Sequence, residues 1–278
     1  MGHCVVAEAE AVLDKEFPVL DRGFVRLVDY LGGDDRVVQS ARVSYGQGTK
    51  SYREDAGLID YLLRNSHTSP FEQVVLTFHV KLPIFVARQW IRHRTARLNE
   101  ISGRYSVIKD DFYVPAPEDI ALQSSDNKQG RSADALDPEL AEKVRASLAE
   151  GQKTAYADYS SLVDEGIARE LARINLPLSV YTEWYWQIDL HNLFHFLQLR
   201  LDAHAQKEIR LYAKVLFEIA KNVAPRCCES FERHILGGVR FSQDEYAELQ
   251  KRLGGAGGGL SGKDLERFEE KLKTGRQL

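Results

Sequence analysis

Alternating apolar and polar positions mark the strands of this chain. Across residues 74–82 large apolar side chains occupy the even positions, while the odd positions hold Val, Thr, His and Lys. This period of two predicts a strand that is buried on one face, and it places His79 on the solvent side. Residues 23–31 and 178–186 are rich in β-branched and aromatic side chains and are also predicted strands.

Helical periodicity accounts for much of the rest. Apolar side chains that recur three or four residues apart predict helices over residues 34–41, 53–63, 138–165, 167–174 and 190–223, with a shorter helix that begins at Pro83. Asp34, Asp137 and Asp189 stand where N-caps are expected. The apolar stripe of residues 138–165, which we expect to face the core, consists of Leu140, Val144, Leu148, Ala155, Tyr159 and Leu162.

The order of these elements predicts an α+β fold, with a mixed or antiparallel sheet covered by helices and a long helical region toward the C-terminus. Residues 1–250 are expected to form one catalytic domain, and residues 251–278 a glycine-rich linker followed by a charged helix over 263–273. Residues 115–137 are polar and predict a long loop, either a lid or an insertion, in which Arg131 is expected to be solvated.

Composition narrows the class of protein. The 278 residues include 44% hydrophobic and 28% charged side chains, the balance of a globular protein with a substantial core. The net charge of −4 argues against a general nucleic-acid surface. No apolar run approaches the roughly 18 residues of a membrane span, and the N-terminus lacks a signal peptide's apolar stretch. Cys4, Cys227 and Cys228 make no disulfide framework, so a cytoplasmic location is expected.

The most distinctive chemistry lies just after the helix that begins at Pro83. Five cationic or imidazole side chains are close together there: Arg92, His93, Arg94, Arg97 and Arg104. The guanidinium fork suits phosphates and flat heteroatom edges, and Ser102 and Gly103 let backbone amides approach an anion. The segment therefore indicates a ligand with a phosphate and a planar polar ring. The alternative is a solvated basic turn.

A pair of histidines offers a second candidate site. His191 and His195 are one helical turn apart, a spacing that also occurs in zinc sites. The glutamate of the H-E-x-x-H motif is absent, because Asn192 stands there, and no third ligand shares the face, so no metal is expected. Two other functions stay open on these residues: a metal hydrolase, and a phosphate- or RNA-binding module that uses the arginine segment.

The spacing of the arginine segment closely resembles the signature of flavin-dependent thymidylate synthases. The matching residues are Arg92-His93-Arg94, Asn99-Glu100, Ser102 and Arg104-Tyr105, and Arg97 stands where the signature has Ser. Further similarity lies in His-Thr-Ser-Pro-Phe-Glu at 67–72 and in Ala172-Arg173 before a Leu-Pro-Leu turn. The resemblance runs over about residues 41–210.

The resemblance implies reductive methylation of dUMP at C5 to give dTMP, with 5,10-methylenetetrahydrofolate as carbon donor, FAD as hydride carrier and NADPH as reductant. The implied dUMP contacts are Gln89, Arg92, Glu100, Ser102, Gly103, Arg104, Arg173 and Arg200. The implied FAD contacts are Ser69, Arg92, His93, Arg94, Glu100, Asp189, His191 and His195. Arg200 and Ser102 would be catalytic, with Arg200 stabilising negative charge at the uracil edge. Glu100 would orient the arginines, and the family uses no cysteine nucleophile.

The resemblance also implies a homotetramer. On an unbroken helix His195 and Arg200 point about 140° apart, although flavin and uracil must touch. One explanation is a kink between Arg200 and His204, although no Pro or Gly is there to cause it. The other, which the family resemblance favours, is that active sites are shared between subunits, with the two helix faces serving different copies of the site.

Overall fold

A single antiparallel sheet organises the described part of the chain. The computed structural model describes residues 5–43, 52–125, 130–132, 134, 136–255 and 258–275. Within these ranges the sheet has five strands in the order β1-β2-β3-β5-β4. Their bounds are β1 Glu16–Val19, β2 Gly23–Leu31, β3 Val75–Pro83, β4 Arg97–Glu100 and β5 Tyr181–Asp189. The three predicted strands are confirmed as β2, β3 and β5, whereas β1 and β4 were not predicted.

Helices flank this sheet, which confirms the predicted α+β class. They are α1 Ala7–Val12, α2 Asp34–Ala41, α3 Tyr52–Arg64, α4 Ile84–Trp90, α5 Pro138–Asp164, α6 Arg169–Ala172, α7 Leu190–Arg200, α8 Lys207–Val223, α9 Pro225–Phe231, α10 Gln243–Leu253 and α11 Gly262–Thr274. Among the described helices none combines the length and the apolar character that crossing a bilayer requires.

An aromatic cluster fixes the elements that carry the site. Trp90, at the end of α4, lies 4.9 Å from Phe196 of α7, 5.0 Å from Trp186 of β5 and 5.9 Å from Tyr212 of α8, measured between ring centroids. All four side chains are buried. Aromatic groups of this size contribute much of a core's burial energy. The segment that follows Trp90 therefore begins at a rigid, buried position beside α7.

The prediction of one long helix over residues 190–223 was wrong, because the helix ends at Arg200. Asp202 Oδ1 accepts a hydrogen bond from the main-chain N–H of His204 at 2.8 Å and lies 2.9 Å from its ring Nδ1. A carboxylate that binds the backbone locally competes with helical hydrogen bonds. The chain turns over residues 201–206 and resumes at Lys207, without proline or glycine in the break.

Two of the three predicted N-caps are confirmed. Asp137 accepts from the N–H of Leu140 at the start of α5, and Asp189 caps α7.

Asp34 was expected to cap its own helix, and this was wrong. Gly33 stands at the N-cap of α2. The Asp34 carboxylate instead accepts from the N–H groups of Arg226 and Cys227, both at 3.0 Å. It thereby caps α9, whose first residue, Pro225, has no N–H to offer. The sequence contains the cap but does not show which helix it serves.

His79 is not solvated, contrary to expectation. Its ring stacks on Tyr185 and meets the edge of Phe24, each with ring centroids 5.0 Å apart. Nδ1 lies 2.8 Å from Arg26 and Nε2 lies 3.1 Å from Glu183. These partners come from β2 and β5, which flank β3, so the polar face of the sheet encloses the imidazole.

The apolar stripe predicted for α5 is buried in part. Its three leucines, Leu140, Leu148 and Leu162, are 42%, 43% and 37% exposed in the single chain, whereas Tyr159 of the same stripe is buried. Gln152 is also buried, and its amide donates to the main chain and to a serine of neighbouring segments. Helix α5 thus contacts the body of the chain along a narrow line.

The C-terminal residues form a helical pair. Lys271 of α11 donates to Glu245 of α10 at 2.7 Å, and both side chains are largely buried. The charged helix predicted over residues 263–273 is confirmed as α11. The predicted division between residues 250 and 251 falls inside α10 and stays a prediction.

Candidate active site

A cavity of about 290 Å³, which we call the arginine cavity, lies between the segment after α4 and helix α7. It is lined by Arg92, His93, Arg94, Thr95, Ile188, Asn192, His195, Leu199 and Arg200. His195 and Arg200 line the same cavity of one chain, so the inference that they serve different copies of the site was wrong. Arg200 is the last residue of α7, so His195 and Arg200 belong to one helix and still reach the same cavity.

His93 is held at the centre of this cavity. Its N–H donates to the carbonyl of Trp90 at 3.0 Å, so the buried tryptophan sets the path of the backbone. Its ring meets Phe196 of α7 edge to face, with centroids 4.7 Å apart, and lies 5.8 Å from the ring of His195. Two elements distant in sequence therefore position one imidazole.

Burial and charge keep His93 neutral. Burial, followed by the positive charge of Arg200 and the neighbouring His195, lowers the pKa of His93 to about 4. Arg200 Nε donates to His93 Nε2 at 3.0 Å. Because a neutral imidazole has one donor and one acceptor nitrogen, the ring proton of His93 is on Nδ1.

Arg200 carries a half-buried charge without a counter-ion among the described residues. Its guanidinium donates to His93 and, at 3.4 Å, to the main-chain oxygen of Gln89, and no described carboxylate pairs with it. Burial lowers its pKa, but a guanidinium keeps its proton in proteins. A half-buried guanidinium without a described counter-ion favours a ligand that brings negative or partly negative oxygen atoms close to it.

Four other predicted substrate contacts form a second cluster: Ser102, Gly103, Arg104 and Arg173. A Cβ atom on Gly103 would lie 3.2 Å from Arg173 Nη1 and 2.8 Å from Ile108 Cδ1, so glycine permits this close packing. Ser102 Oγ accepts from the N–H of Arg104 at 3.3 Å. Arg104 is paired with Glu170 at 2.9 Å, while Arg173 has no polar side-chain partner among the described residues.

Strand β4 joins the arginine segment of the cavity to residues 102–104 of the second cluster along the chain. Its four residues are extended, so Arg97 and Glu100 are about 10 Å apart. Arg97, which stands at the signature's serine position, donates to Gln187 of β5 at 3.2 Å. Glu100 accepts from Thr182 Oγ1 at 2.6 Å and pairs with no described arginine, and its role in orienting arginines stays a prediction.

The remaining predicted contacts, Ser69, Gln89, Asp189 and His191, are not among the residues that line the cavity. Asp189 uses both carboxylate oxygens on Asn192, at 2.9 and 2.8 Å, and His191 lies outside the cavity lining. Ser69 is exposed in the turn before the short helix Phe71–Gln73. The Gln89 amide donates to Gln206.

Asn192 is a site residue that the sequence did not reveal. It lines the cavity three residues before His195, so the two share a helix face. That spacing was the available signal, but Asn192 was considered only as the residue that replaces a zinc-site glutamate.

The described residues give little support to metal-dependent chemistry or to a cysteine nucleophile. They include no group of three His, Cys, Asp or Glu side chains that could hold a metal ion. Cys227 and Cys228 are fully buried, and burial raises the pKa of both thiols well above its usual value. Neither thiol suits a nucleophile. Cys4 lies outside the described residues.

The donor set of the arginine cavity fits an anionic cofactor with a heteroaromatic ring. Arg92 and Arg94 are exposed at its rim, and neutral His93 offers a ring N–H. The volume is at the small end of ligand pockets, about 300–1,000 Å³. One chain therefore accepts only part of a dinucleotide such as FAD, and the rest must lie on the surface or on another chain.

Comparison with known proteins matches both parts of the chain. Residues 26–226 match the family described as thymidylate synthase complementing protein. Residues 239–278 match the family described as thymidylate synthase ThyX C-terminal domain. The first match includes every residue of the arginine cavity and of the second cluster.

Similar proteins agree with the family matches. The flavin-dependent thymidylate synthase of Treponema denticola is 71% identical over 266 residues, 96% of this chain and 100% of that protein. That of Treponema pallidum is 62% identical over 277 residues, 100% of this chain and 91% of that protein. A UMP/dUMP methylase of Streptomyces cacaoi, solved with 5-Br dUMP, is 33% identical with a TM-score of 0.70, and the match covers 79% and 98% of the two chains. The chain belongs to the flavin-dependent thymidylate synthase family.

Proposed function

We propose that this protein is a thymidylate synthase that methylates dUMP at C5, with 5,10-methylenetetrahydrofolate as carbon donor, FAD as cofactor and NADPH as reductant. The observation that carries the proposal is the Arg200 guanidinium, half-buried beside neutral His93 and without a described carboxylate partner. The similarity to named thymidylate synthases supports the same reaction.

Arg200 would activate the base. C5 of uracil becomes nucleophilic when negative charge at N3 and the ring oxygens is stabilised, and a fixed guanidinium in a cavity supplies that stabilisation. The guanidinium donates from Nε to His93 and from Nη2 to the Gln89 carbonyl, and these two hydrogen bonds limit its rotation, so it is oriented before the substrate arrives.

Arg92, His93 and Arg94 would hold FAD, with His195 and Asn192 on the facing helix. When bound, FAD supplies the hydride that completes the methyl group, and NADPH restores its reduced form. The two arginines are exposed in the single chain, where they can neutralise phosphate groups, and His93 can donate through Nδ1. Ser69, Asp189 and His191 are proposed as outer contacts.

The second cluster would bind the nucleotide's phosphate and sugar. Arg173 has no described partner to displace, and Gly103 brings backbone close to it. Ser102 would contact the substrate through its hydroxyl. Arg104 must first leave Glu170, but both side chains are more than half exposed, at 59% and 51%, so the pair is weak.

We further propose a homotetramer with shared active sites. The two groups of dUMP residues lie at opposite ends of β4 along the chain, and in this proposal a neighbouring chain contributes one of them to each site. The exposed leucines of α5, together with Ile167 and Leu171 near α6, provide an apolar surface for such contacts. We place the enzyme in the cytoplasm, where its buried thiols stay reduced.

A visible spectrum and an isotope assay test the proposal. The purified protein should show a flavin band and should release tritium from dUMP labelled at C5 when NADPH and methylenetetrahydrofolate are present. A colourless protein that releases no tritium with added FAD would overturn the proposal. Salt-sensitive RNA binding by such a protein would favour the nucleic-acid alternative.

A further inference from the structure

A buried glutamate lies next to the candidate site and is not used by the proposed reaction. Glu208, in the first turn of α8, is 1% exposed. Its Oε1 accepts from Arg131 Nη2 at 2.5 Å and from the Tyr113 hydroxyl at 3.3 Å. Burial raises the pKa of Glu208, but the hydrogen bond and charge of Arg131, with help from Gln206, outweigh it and hold the pKa below its usual range. The side chain is therefore a carboxylate, which only accepts hydrogen bonds.

A chain of side-chain amides connects this carboxylate to the site. Gln206 Nε2 donates to Glu208 Oε2 at 2.8 Å, and Gln89 Nε2 donates to Gln206 Oε1. The main-chain oxygen of Gln89 is also a partner of Arg200. The relay therefore ends at a predicted uracil contact that touches the proposed catalytic arginine.

The carboxylate determines which way each amide faces. Because Glu208 cannot donate, Gln206 must turn its NH₂ group toward it and its carbonyl toward Gln89. Gln89 must then turn its own NH₂ group toward Gln206. The free edge of the Gln89 amide consequently presents its carbonyl oxygen and its second N–H in one fixed order.

We propose that the relay of Glu208 and Gln206 sets the specificity of the site for a uracil-type base, by fixing the order of acceptor and donor that Gln89 presents. The inference rests on the proposed function. Uracil has an N–H at N3 beside a carbonyl oxygen, whereas cytosine has an acceptor at N3 beside an amino group. A glutamine edge in one orientation complements uracil, and the reversed edge complements cytosine. Glu208 and Gln206 are positioning residues, since neither is proposed to touch the base.

The relay also gives the loop over residues 115–137 a function. Arg131 belongs to this loop and is exposed, as expected, but its guanidinium also contacts the Glu208 carboxylate and the carbonyl of Asp119, the latter at 3.1 Å. Without this cation, a carboxylate buried to this extent would favour its protonated form, which can donate. Arg131 therefore keeps the relay in its single orientation.

Glu208→Gln tests the relay with little change in shape. The donors Arg131 and Tyr113 hold a carbonyl at the Oε1 position, so the new NH₂ group faces Gln206 and reverses both downstream amides. We expect calorimetry on the flavin-loaded variant to give a Kd for dUMP that is 10- to 100-fold higher, the effect of one mismatched polar contact. The Kd for dCMP should rise less or fall, so the preference for dUMP over dCMP drops at least about tenfold. General damage to the site would weaken both nucleotides alike.

A second variant and a control complete the experiment. Gln206→Met removes the relay, leaves the pair of Glu208 and Arg131, and should also lower the preference for dUMP. Glu248→Gln is the matched control, because Glu248 is another buried glutamate paired with an arginine, Arg252, outside the relay. The preference of the Glu248→Gln variant for dUMP over dCMP should equal that of the unmodified enzyme.

The outcomes separate the two proposals. If the unmodified enzyme prefers dUMP over dCMP and the relay variants keep that preference, the relay proposal is wrong and the proposed function stands. If Glu208→Gln does not fold, the result for Gln206→Met decides. Unmodified enzyme that does not prefer dUMP overturns the proposed function and this inference together.

Discussion

Arg200 donates from Nε to Nε2 of His93 at 3.0 Å, which joins the end of α7 to the arginine segment that follows α4. The bond requires a neutral imidazole, and burial beside Arg200 and His195 provides one. A protonated His93 would place two cations in contact and lose the acceptor. The conformation of the proposed catalytic arginine therefore depends on the protonation state of its neighbour.

Replacing Arg200 should impair chemistry more than cofactor binding. Arg200→Ala removes the guanidinium proposed to stabilise charge on the uracil ring, and such a donor contributes on the order of 3 kcal/mol, or about a hundredfold in rate. The variant should keep its flavin absorbance, because Arg92, His93 and Arg94 are intact. Tritium release under saturating substrates measures the loss.

Arg64→Ala is a suitable control for this loss, since Arg64 is an exposed arginine at the end of α3, outside the cavity lining. It should retain full turnover. Near-normal turnover in Arg200→Ala would remove Arg200 from the chemistry.

The sequence predicted the sheet where alternation was strong and local. The even positions of β3 are all buried, as their period of two requires. Strand β4 could not be found this way, because its four exposed residues include a single apolar one, Leu98, and the strand forms by pairing with β5, more than eighty residues later. The break after Arg200 depends on the Asp202 side chain, whose competition with the helix is not visible in a periodic pattern.

The site was predicted where a spaced motif exists. The signature predicts Arg92, His93 and Arg94 as site residues, and all three line one cavity. The relay to Glu208 was missed because a glutamate in a first helical turn is usually solvated. Its burial depends on Arg131, which is distant in sequence and lies in a segment that looked like a polar loop. Pairing of this kind is a tertiary property.

The low pKa of His93 should make stability depend on pH. The unfolded histidine has a pKa of about 6.5 and the folded one about 4, so between these values the unfolded chain binds a proton that the folded chain does not. The contribution of neutral His93 to the free energy of unfolding is complete above about pH 6.5 and declines as the pH falls toward 4. Between pH 7 and 4.5 the loss from this group should be about 1–2 kcal/mol, after allowance for its partial exposure.

Urea unfolding of flavin-free protein at fixed concentration measures this pH dependence. His93→Gln keeps an acceptor for Arg200 but does not titrate, so its free energy of unfolding should fall less between the two pH values. Equal pH dependence in both proteins would show that His93 titrates normally.

The buried cysteines should be neither reactive nor required. Burial raises the pKa of Cys227 and Cys228, and a neutral thiol attacks poorly. In a Cys4→Ser background, Ellman's reagent should find no thiol until denaturant is added. Replacing Cys227 and Cys228 with Ala in that background should leave tritium release measurable. Complete loss of turnover by a folded variant that still binds flavin and dUMP would contradict a cysteine-free mechanism.

Shared active sites predict which pairs of inactive chains restore each other. Arg200 and His93 touch within one chain, so both belong to the same half of the site. Arg173 belongs to the second cluster, beyond β4, and would complete the site of a neighbour. Arg200→Ala and Arg173→Ala should therefore complement, whereas Arg200→Ala and His93→Ala should not, because both damage the arginine cavity.

Mixing under subunit exchange tests this arrangement. With equal amounts of Arg200→Ala and Arg173→Ala chains, random exchange leaves about one quarter of the sites with both halves intact, and activity should recover to that extent. The mixture of Arg200→Ala with His93→Ala is the control and should stay inactive, since every site then receives a damaged cavity. Exchange itself is followed by mass spectrometry of chains with different tags. Proven exchange without recovery in the first mixture, or a monomer that is fully active at high dilution, would place both clusters in a site built by one chain.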